Sequence, residues 1–131
     1  MSVDPQALAQ SMPFAVALGV EVTAATAEEV RGRLAWSAER CTTAGVLHGG
    51  AIMSLADTLG AICAFLNLPA GAGTTTIESK TNFLRAVRAG HVTATARPLH
   101  AGRRTIVVDT ELRDDEARLV ARTTQTQAVL E

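Results

Sequence analysis

Aromatic residues are nearly absent from this chain of 131 residues: they make up 3% of it, with one Trp, three Phe and no Tyr. Because 47% of the residues are nevertheless hydrophobic, Ala, Val, Leu and Ile must fill the core. The length is that of one domain, and it suffices to bury a genuine core. We therefore expect a single domain over residues 1–131, in which residues 1–17 form an N-terminal helix and lead-in.

Cysteine and net charge are also scarce. Cys41 and Cys63 are too few and too far apart for a disulfide scaffold. A formal net charge of −1 gives no bulk attraction to nucleic acid or to an anionic membrane. No basic segment followed by an apolar run opens the sequence, and the apolar stretch over residues 51–66 is interrupted by Asp57 and short for a bilayer span. These absences predict a cytoplasmic protein with idle thiols and neither a nucleic-acid nor a membrane partner.

Motifs for metal binding and for a serine hydrolase are missing as well. His48, His91 and His100 have no ligand spacing, and neither cysteine has a ligating neighbour. No Gly-x-Ser-x-Gly elbow occurs in the chain. We therefore expect no metal site and no Ser-His-Asp triad.

The pattern of apolar residues predicts two strands, one long helix and then four strands. Asp4 caps a short first helix that runs to about residue 12, and the long helix begins at residue 49 or 50 and ends near residues 66–67. The first two strands flank a turn at residues 27–29, and the later four cover residues 74–84, 91–99, 105–112 and 119–129. A helix that is apolar on nearly all faces must be enclosed on nearly all faces. We expect a curved antiparallel sheet to cover one side and a second copy of the chain to cover the rest.

Asp57 is the only charged residue between His48 and Leu66, in an otherwise apolar helix. A buried carboxylate without a partner is so costly that a chain which keeps one usually has a use for it. A His-Gly-Gly sequence stands at the first turn of the same helix. From the residues alone, a structural Asp57 held by the hydroxyls of Ser54 or Thr58, or placed in a dimer seam, remains an alternative.

Four segments in order carry a resemblance to a known family: G-V-L-H-G-G-A-I-M-S-L-A-D-T at 45–58, T-N-F-L-R-A-V at 81–87, H-A-G-R-R-T at 100–105 and L-V-A-R-T-T-Q-T from 119. Together they resemble the hotdog-fold acyl-CoA thioesterases, and more narrowly the phenylacetic-acid-degradation-type and aryl-CoA thioesterases. The resemblance implies an α+β fold in which a sheet wraps a central helix. It also implies homodimers that pair their sheets and, in some members, tetramers.

The resemblance further implies hydrolysis of an aryl- or medium acyl-CoA to the free acid and CoA, without metal or organic cofactor. Asp57 corresponds to the catalytic carboxylate, as general base or nucleophile, and the Gly49 N–H to the donor for the thioester carbonyl. His48 is then expected to orient the turn or contact the carbonyl, with Gly50 beside it. A glycine at a helix start suits this role, because its N–H is free and the helix dipole is positive there.

Several further residues are expected to bind substrate. Thr42 stands where many relatives carry Asn or Gln near the thioester, which places efficiency and substrate preference in question. Thr76 is a candidate to hold the attacking water, with the alternative that it only favours the sheet. Thr58 is a further candidate, with the alternative that it bonds back along its own helix. The residues expected to line the acyl pocket are Ile52, Met53, Phe65 and Phe83. Those expected to bind the CoA phosphates are Arg85, Arg103 and Arg104. For each arginine, the alternative is a solvated strand-end residue.

Gly49 and Asp57 are eight residues apart, which is about 12 Å along one helix. Since both must lie within roughly 3 Å of the reacting atoms, one helix cannot supply both to the same substrate. We therefore expect active sites shared across a dimer interface. The competing hypothesis is a non-catalytic acyl-CoA binding or sensing module of the same fold, which Thr42 favours and Asp57 opposes.

Overall fold

The structure is a computed structural model and describes residues 4–131. Its helices are α1 (Pro5–Gln10), α2 (Pro13–Leu18) and α3 (Gly49–Phe65). Its strands are β1 (Glu21–Ala25), β2 (Val30–Ala35), β3 (Gly73–Phe83), β4 (His91–Ala101), β5 (Thr105–Arg113) and β6 (Leu119–Leu130). Short 3-10 turns at Ala38–Arg40 and Thr43–Gly45 lead into α3. The predicted order of two strands, one long helix and four strands is confirmed.

The N-terminal region differs from the prediction of one helix. The Asp4 side chain accepts a hydrogen bond from the Gln6 N–H, as expected of a cap, but α1 ends at residue 10. A second helix then begins at Pro13, because the extended Met12 breaks the first and proline favours a first helical position. Six residues are too few to give a readable helical period. Residues 1–3 of the predicted lead-in lie outside the described part of the chain.

The six strands form one antiparallel sheet in the order β1-β2-β4-β5-β6-β3. Helix α3 contacts every strand, so the sheet wraps around it. Leu55 and Leu59 of the helix are fully buried, as are Val92 of β4 and Val108 of β5. This is the predicted α+β hotdog architecture, with a core of small and aliphatic residues.

One stripe of α3 is left uncovered by its own chain. Met53, Asp57 and Phe65 are exposed, so the helix is not buried on all faces as its apolar sequence suggested. The edge strand β3 exposes Ile77 and Phe83 as well. A partner chain remains the predicted cover for this surface.

Two minor expectations concern membranes and thiols. Within residues 4–131, every helix is too short or too polar to cross a bilayer. Both cysteines are free thiols, Cys41 half-buried and Cys63 buried. Burial raises the pKa of the Cys63 thiol to about 11, which makes it unreactive at neutral pH.

Candidate active site

The start of α3 is held in place by His48, its N-cap residue. The imidazole Nδ1 accepts a hydrogen bond from the Gly50 N–H at 2.7 Å, and the His48 N–H donates to the Arg40 carbonyl at 2.9 Å. Because Nδ1 is an acceptor here, the neutral ring carries its proton on Nε2. His48 therefore orients the first turn and presents an N–H donor outward.

The next N–H, that of Gly49, has no acceptor among residues 4–131. It is one of the donors that every helix start leaves unpaired, and it lies at the positive end of the helix dipole. A Cβ added at Gly49 would lie 3.2 Å from the ring of Phe83, so a larger residue would crowd this donor. The arrangement can bind a developing negative charge on oxygen.

Five of the predicted substrate-binding and catalytic residues meet in one cleft of about 390 Å³ beside this donor. Gly49 and Ile52 line one side and Phe83 and Arg85 the other, with Thr42 at the entrance turn. Arg85 makes no ion pair within the described residues and is exposed, so its guanidinium is free to bind an anion. The cleft combines a backbone donor, an apolar wall and a cation.

Arg103 and Arg104 lie elsewhere, in the turn between β4 and β5. They line a separate groove of about 520 Å³ with Val129 and Glu131. The structure therefore does not bring them together with Arg85 in one chain.

Asp57 does not line the cleft that contains Gly49. Asp57 is an exposed residue of the single chain, but burial of part of its carboxylate raises its pKa, while the neighbouring Thr76 and Gln125 side chains lower it. The Gln125 Nε2 donates to Asp57 Oδ1 at 3.4 Å. Asp57 is thus a carboxylate whose protonation is tuned by its surroundings.

The hydroxyls nearest to Asp57 in sequence do not satisfy it. Thr58 is buried and its hydroxyl donates to the Ser54 carbonyl at 2.7 Å, bonding back along the helix. The Ser54 hydroxyl donates in turn to the Gly50 carbonyl at 2.7 Å. These contacts remove support from the alternative in which Asp57 is a structural residue held by Ser54 or Thr58, and they give Thr58 no free proton for a water.

Thr76 lies close to Asp57 and directly before a β-bulge in β3. The register of β3 against β6 shifts between Thr76 and Glu78, which leaves Ile77 unpaired. Thr76 then shares a face with Gln127, to whose Oε1 it donates at 2.7 Å. The structure therefore places Thr76 beside the carboxylate, as its candidate role requires.

Sequence reasoning missed two residues here, Gln125 and Gln127 of β6, which are 0% and 1% exposed. Buried amides are uncommon, and two of them alternate along the inward face of a strand whose other inward positions are small or apolar. That alternation, in the segment Q-T-Q, was the available signal. Within residues 4–131 no three metal-ligating side chains come together.

Comparison with protein families gives a match over residues 44–121 to the model described as "Thioesterase superfamily". Among curated proteins, the chain is 34% identical over 86 residues to the 1,4-dihydroxy-2-naphthoyl-CoA hydrolase of Escherichia coli K12. That alignment covers 66% of this chain and 63% of the hydrolase. The phenylacetic-acid-degradation branch stays a prediction, because the family model is described only at the superfamily level.

Solved structures agree with this match. A thioesterase from Haemophilus influenzae superposes with a TM-score of 0.93 at 28% identity, covering 100% of this chain and 93% of that one. A mutant thioesterase from Pseudomonas aeruginosa superposes with a TM-score of 0.93 at 30% identity, covering 99% and 96%.

Proposed function

This chain belongs to the thioesterase superfamily, a family of thioester hydrolases, and we propose that it cleaves an aryl- or medium acyl-CoA to the free acid and CoA. One observation carries the proposal: α3 presents both an unpaired N–H at Gly49 and a carboxylate of raised pKa at Asp57. Thioester hydrolysis needs both groups, a donor for the oxyanion and an activator of the attacking oxygen.

In the proposed mechanism, the thioester carbonyl accepts from the Gly49 N–H. Negative charge that develops on this oxygen is stabilised by that donor and by the helix dipole. His48 holds the turn through the Gly50 N–H, so the donor is already oriented before substrate binds. Phe83 and Ile52 pack beside the acyl group, and Arg85 binds a phosphate of CoA.

Asp57 supplies the second group, either by removing a proton from water or by attacking the carbonyl itself. A raised pKa makes a carboxylate a better base, provided that it stays ionised at the working pH. The Thr76 hydroxyl lies beside it, and because its proton goes to Gln127 Oε1, its oxygen would hold the water by accepting a hydrogen bond from it. No further cofactor is part of this mechanism, since CoA belongs to the substrate.

The two groups are about 12 Å apart along α3, so we propose that each active site takes Gly49 from one subunit and Asp57 from its partner. The uncovered stripe of α3 and the unpaired edge of β3 support this arrangement. An edge strand of 11 residues with exposed Ile77 and Phe83 would be prone to pair with another chain. A homodimer, or a tetramer built from two, would cover these surfaces.

The first experiment measures release of free thiol from a panel of aryl- and aliphatic acyl-CoAs. Wild type should turn over at least one class, and Asp57→Asn should lose nearly all of that rate. If wild type bound an acyl-CoA without releasing thiol, the non-catalytic binding module would be the better hypothesis. Thr42→Gln would then test whether the missing amide is the reason.

A complementation experiment tests the shared site. Gly49→Pro removes the donor N–H at a helix position where proline is well tolerated, after a residue already in an extended conformation. When the Gly49→Pro and Asp57→Asn chains are mixed and refolded together, activity should recover to about a quarter of the wild-type value. Half of the dimers would be mixed, and one of the two sites in each mixed dimer would be intact. Absence of any recovery in verified mixed dimers would contradict the shared site.

A further inference from the structure

We propose that Gln125 and Gln127, the amide pair, form a buried chain of hydrogen bonds that positions the Asp57 carboxylate for catalysis. The proposal rests on the function proposed above, because it concerns the residue that activates the attacking oxygen. It assigns the pair a positioning role, since neither side chain is exposed to touch substrate.

The direction of this chain is fixed at its far end by a backbone carbonyl. The Ala128 carbonyl can only accept, so the Thr74 hydroxyl donates its one proton to it at 2.8 Å. The Thr74 oxygen is left as an acceptor, and the Gln127 Nε2 donates to it at 3.2 Å. The carbonyl oxygen of Gln127 must therefore point away from Thr74 and toward Gln125.

That oxygen sets the orientation of the next amide. Gln127 Oε1 accepts from the Thr76 hydroxyl at 2.7 Å and from the Gln125 Nε2 at 3.1 Å. Gln125 is thereby made to present its N–H₂ group, rather than its carbonyl, to Asp57 Oδ1 at 3.4 Å. An N–H donor at this position favours the ionised carboxylate and opposes the effect of burial.

This orientation of the Gln125 amide leaves one of its own polar atoms without a hydrogen bond. Gln125 Oε1 is buried without a hydrogen-bond partner in the described residues, and it lies against Gly60 of α3. A Cβ added at Gly60 would collide with that oxygen, so the helix accommodates the amide only through glycine. An unsatisfied buried oxygen is destabilising, and an apolar side chain would avoid it.

Among residues 4–131, no charged side chain forms an ion pair with Asp57. Burial raises the pKa of its carboxyl group, and the neighbouring Thr76 and Gln125 side chains lower it. The orientation of the carboxylate therefore depends on its neighbours in β3 and β6, and Gln125 of β6 supplies its N–H donor.

Gln125→Met tests the proposal, because methionine keeps the length of the side chain and cannot donate a hydrogen bond. Carbon-13 NMR titration should show a higher pKa for Asp57 than in wild type. In kinetics, the acid limb of kcat/KM should move to higher pH and kcat should fall roughly tenfold with KM nearly unchanged. Melting temperature should not fall, since an unsatisfied oxygen has been removed. Gln127→Met should shift the pKa in the same direction by less.

Thr123→Val is the matched control. Thr123 is buried on the same face of β6, two residues from Gln125, but its hydroxyl pairs with that of Thr81 at 2.7 Å. This variant should leave the Asp57 titration and the pH profile unchanged. An unchanged Asp57 pKa in both folded amide variants would overturn the proposal. The NMR titration needs no turnover, so an inactive wild type would refute the proposed function while the role of the amide pair was still decided.

Discussion

The two candidate catalytic groups of helix α3, one at its N-terminus and one at its middle, are held in opposite ways. At its N-terminus, the donor Gly49 is held by its immediate neighbours, since His48 caps the turn through Gly50. Eight residues later, Asp57 has no bond to its own turn and is held by Gln125, 68 residues away in the chain. The donor end of the helix is thus a local structure, whereas the surroundings of the carboxylate are assembled by the sheet.

The Gly49 donor and the Asp57 carboxylate should therefore differ in how well they tolerate mutations elsewhere in the molecule. A helix start needs only backbone geometry and a cap, so its donor survives any change that leaves the helix intact. The Asp57 environment needs the register of β3, the bulge at Ile77 and the packing of Gln125 against Gly60 to be correct together. Mutations that disturb only one of these features should affect the Gly49 donor and the Asp57 carboxylate differently.

The largest effect is expected from Asp57→Asn, which removes the carboxylate and keeps its shape. Thiol release should fall by about a thousandfold or more, judged from the usual contribution of such groups. The folded-state pKa is raised above the ordinary value of 3.8, so folding favours the protonated acid. The stabilisation that this carboxyl group contributes is complete at a pH below its ordinary pKa, and it is lost as the pH rises through its folded-state pKa. The variant should therefore melt no lower than wild type at pH 7, with the difference vanishing at pH 3.

A drop in melting temperature of Asp57→Asn at pH 7 would instead indicate that the ionised carboxylate stabilises the fold. Calorimetry at both pH values distinguishes the outcomes, and the activity assay runs on the same samples.

The donor end is tested by comparing Gly49→Pro with Gly49→Ala. Both place a Cβ against the Phe83 ring, but only proline removes the N–H. We expect proline to lower kcat by about a hundredfold or more and alanine by much less, since oxyanion donors contribute about that much. Equal losses in the two variants would assign the effect to crowding by Phe83 rather than to the donor.

Gly60→Ala tests the surroundings of the carboxylate without removing a polar group. In an exposed helix this change would stabilise by about 1 kcal/mol. Here the added methyl must displace the Gln125 amide from Asp57. Activity should fall roughly tenfold and the acid limb should rise, as in the amide variants. A stabilised variant with unchanged pH dependence would show that Gln125 can move without consequence.

The smallest effect is expected from labelling the thiols, which have no part in the roles proposed for Gly49 and Asp57. Cys63 has a pKa of about 11 and is buried, so a disulfide reagent should label at most one thiol, Cys41, in the native protein. Activity should survive that labelling. Rapid labelling of two thiols would indicate that α3 opens readily from the sheet.

The sequence predicted much of the fold and only part of the site. The long helix, the strand order and the His48 turn follow from apolar spacing and from local residue types. Helix α2 was missed because six residues show no clear period. The burial of Asp57 was overstated, because an apolar helix sequence does not reveal which stripe its own sheet leaves open.

The amide pair was missed for a related reason. Gln125 and Gln127 stand out only when the inward face of β6 is known, and that face points at Gly60. The bulge at Ile77 also changes which threonines of β3 face inward: Thr74 and Thr76 on one side of it, Thr81 on the other. A shift of one residue in a strand reverses every side chain beyond it.

By itself, the sequence determined the helix and its donor end, because bonds between residues a few positions apart follow from helix geometry and one cap. Only the tertiary structure decided what surrounds Asp57. Its partners come from β3 and β6, and their approach depends on strand register, a bulge and a glycine in the helix. Those features act over long sequence separations, where local preference carries no information about which side chains will meet.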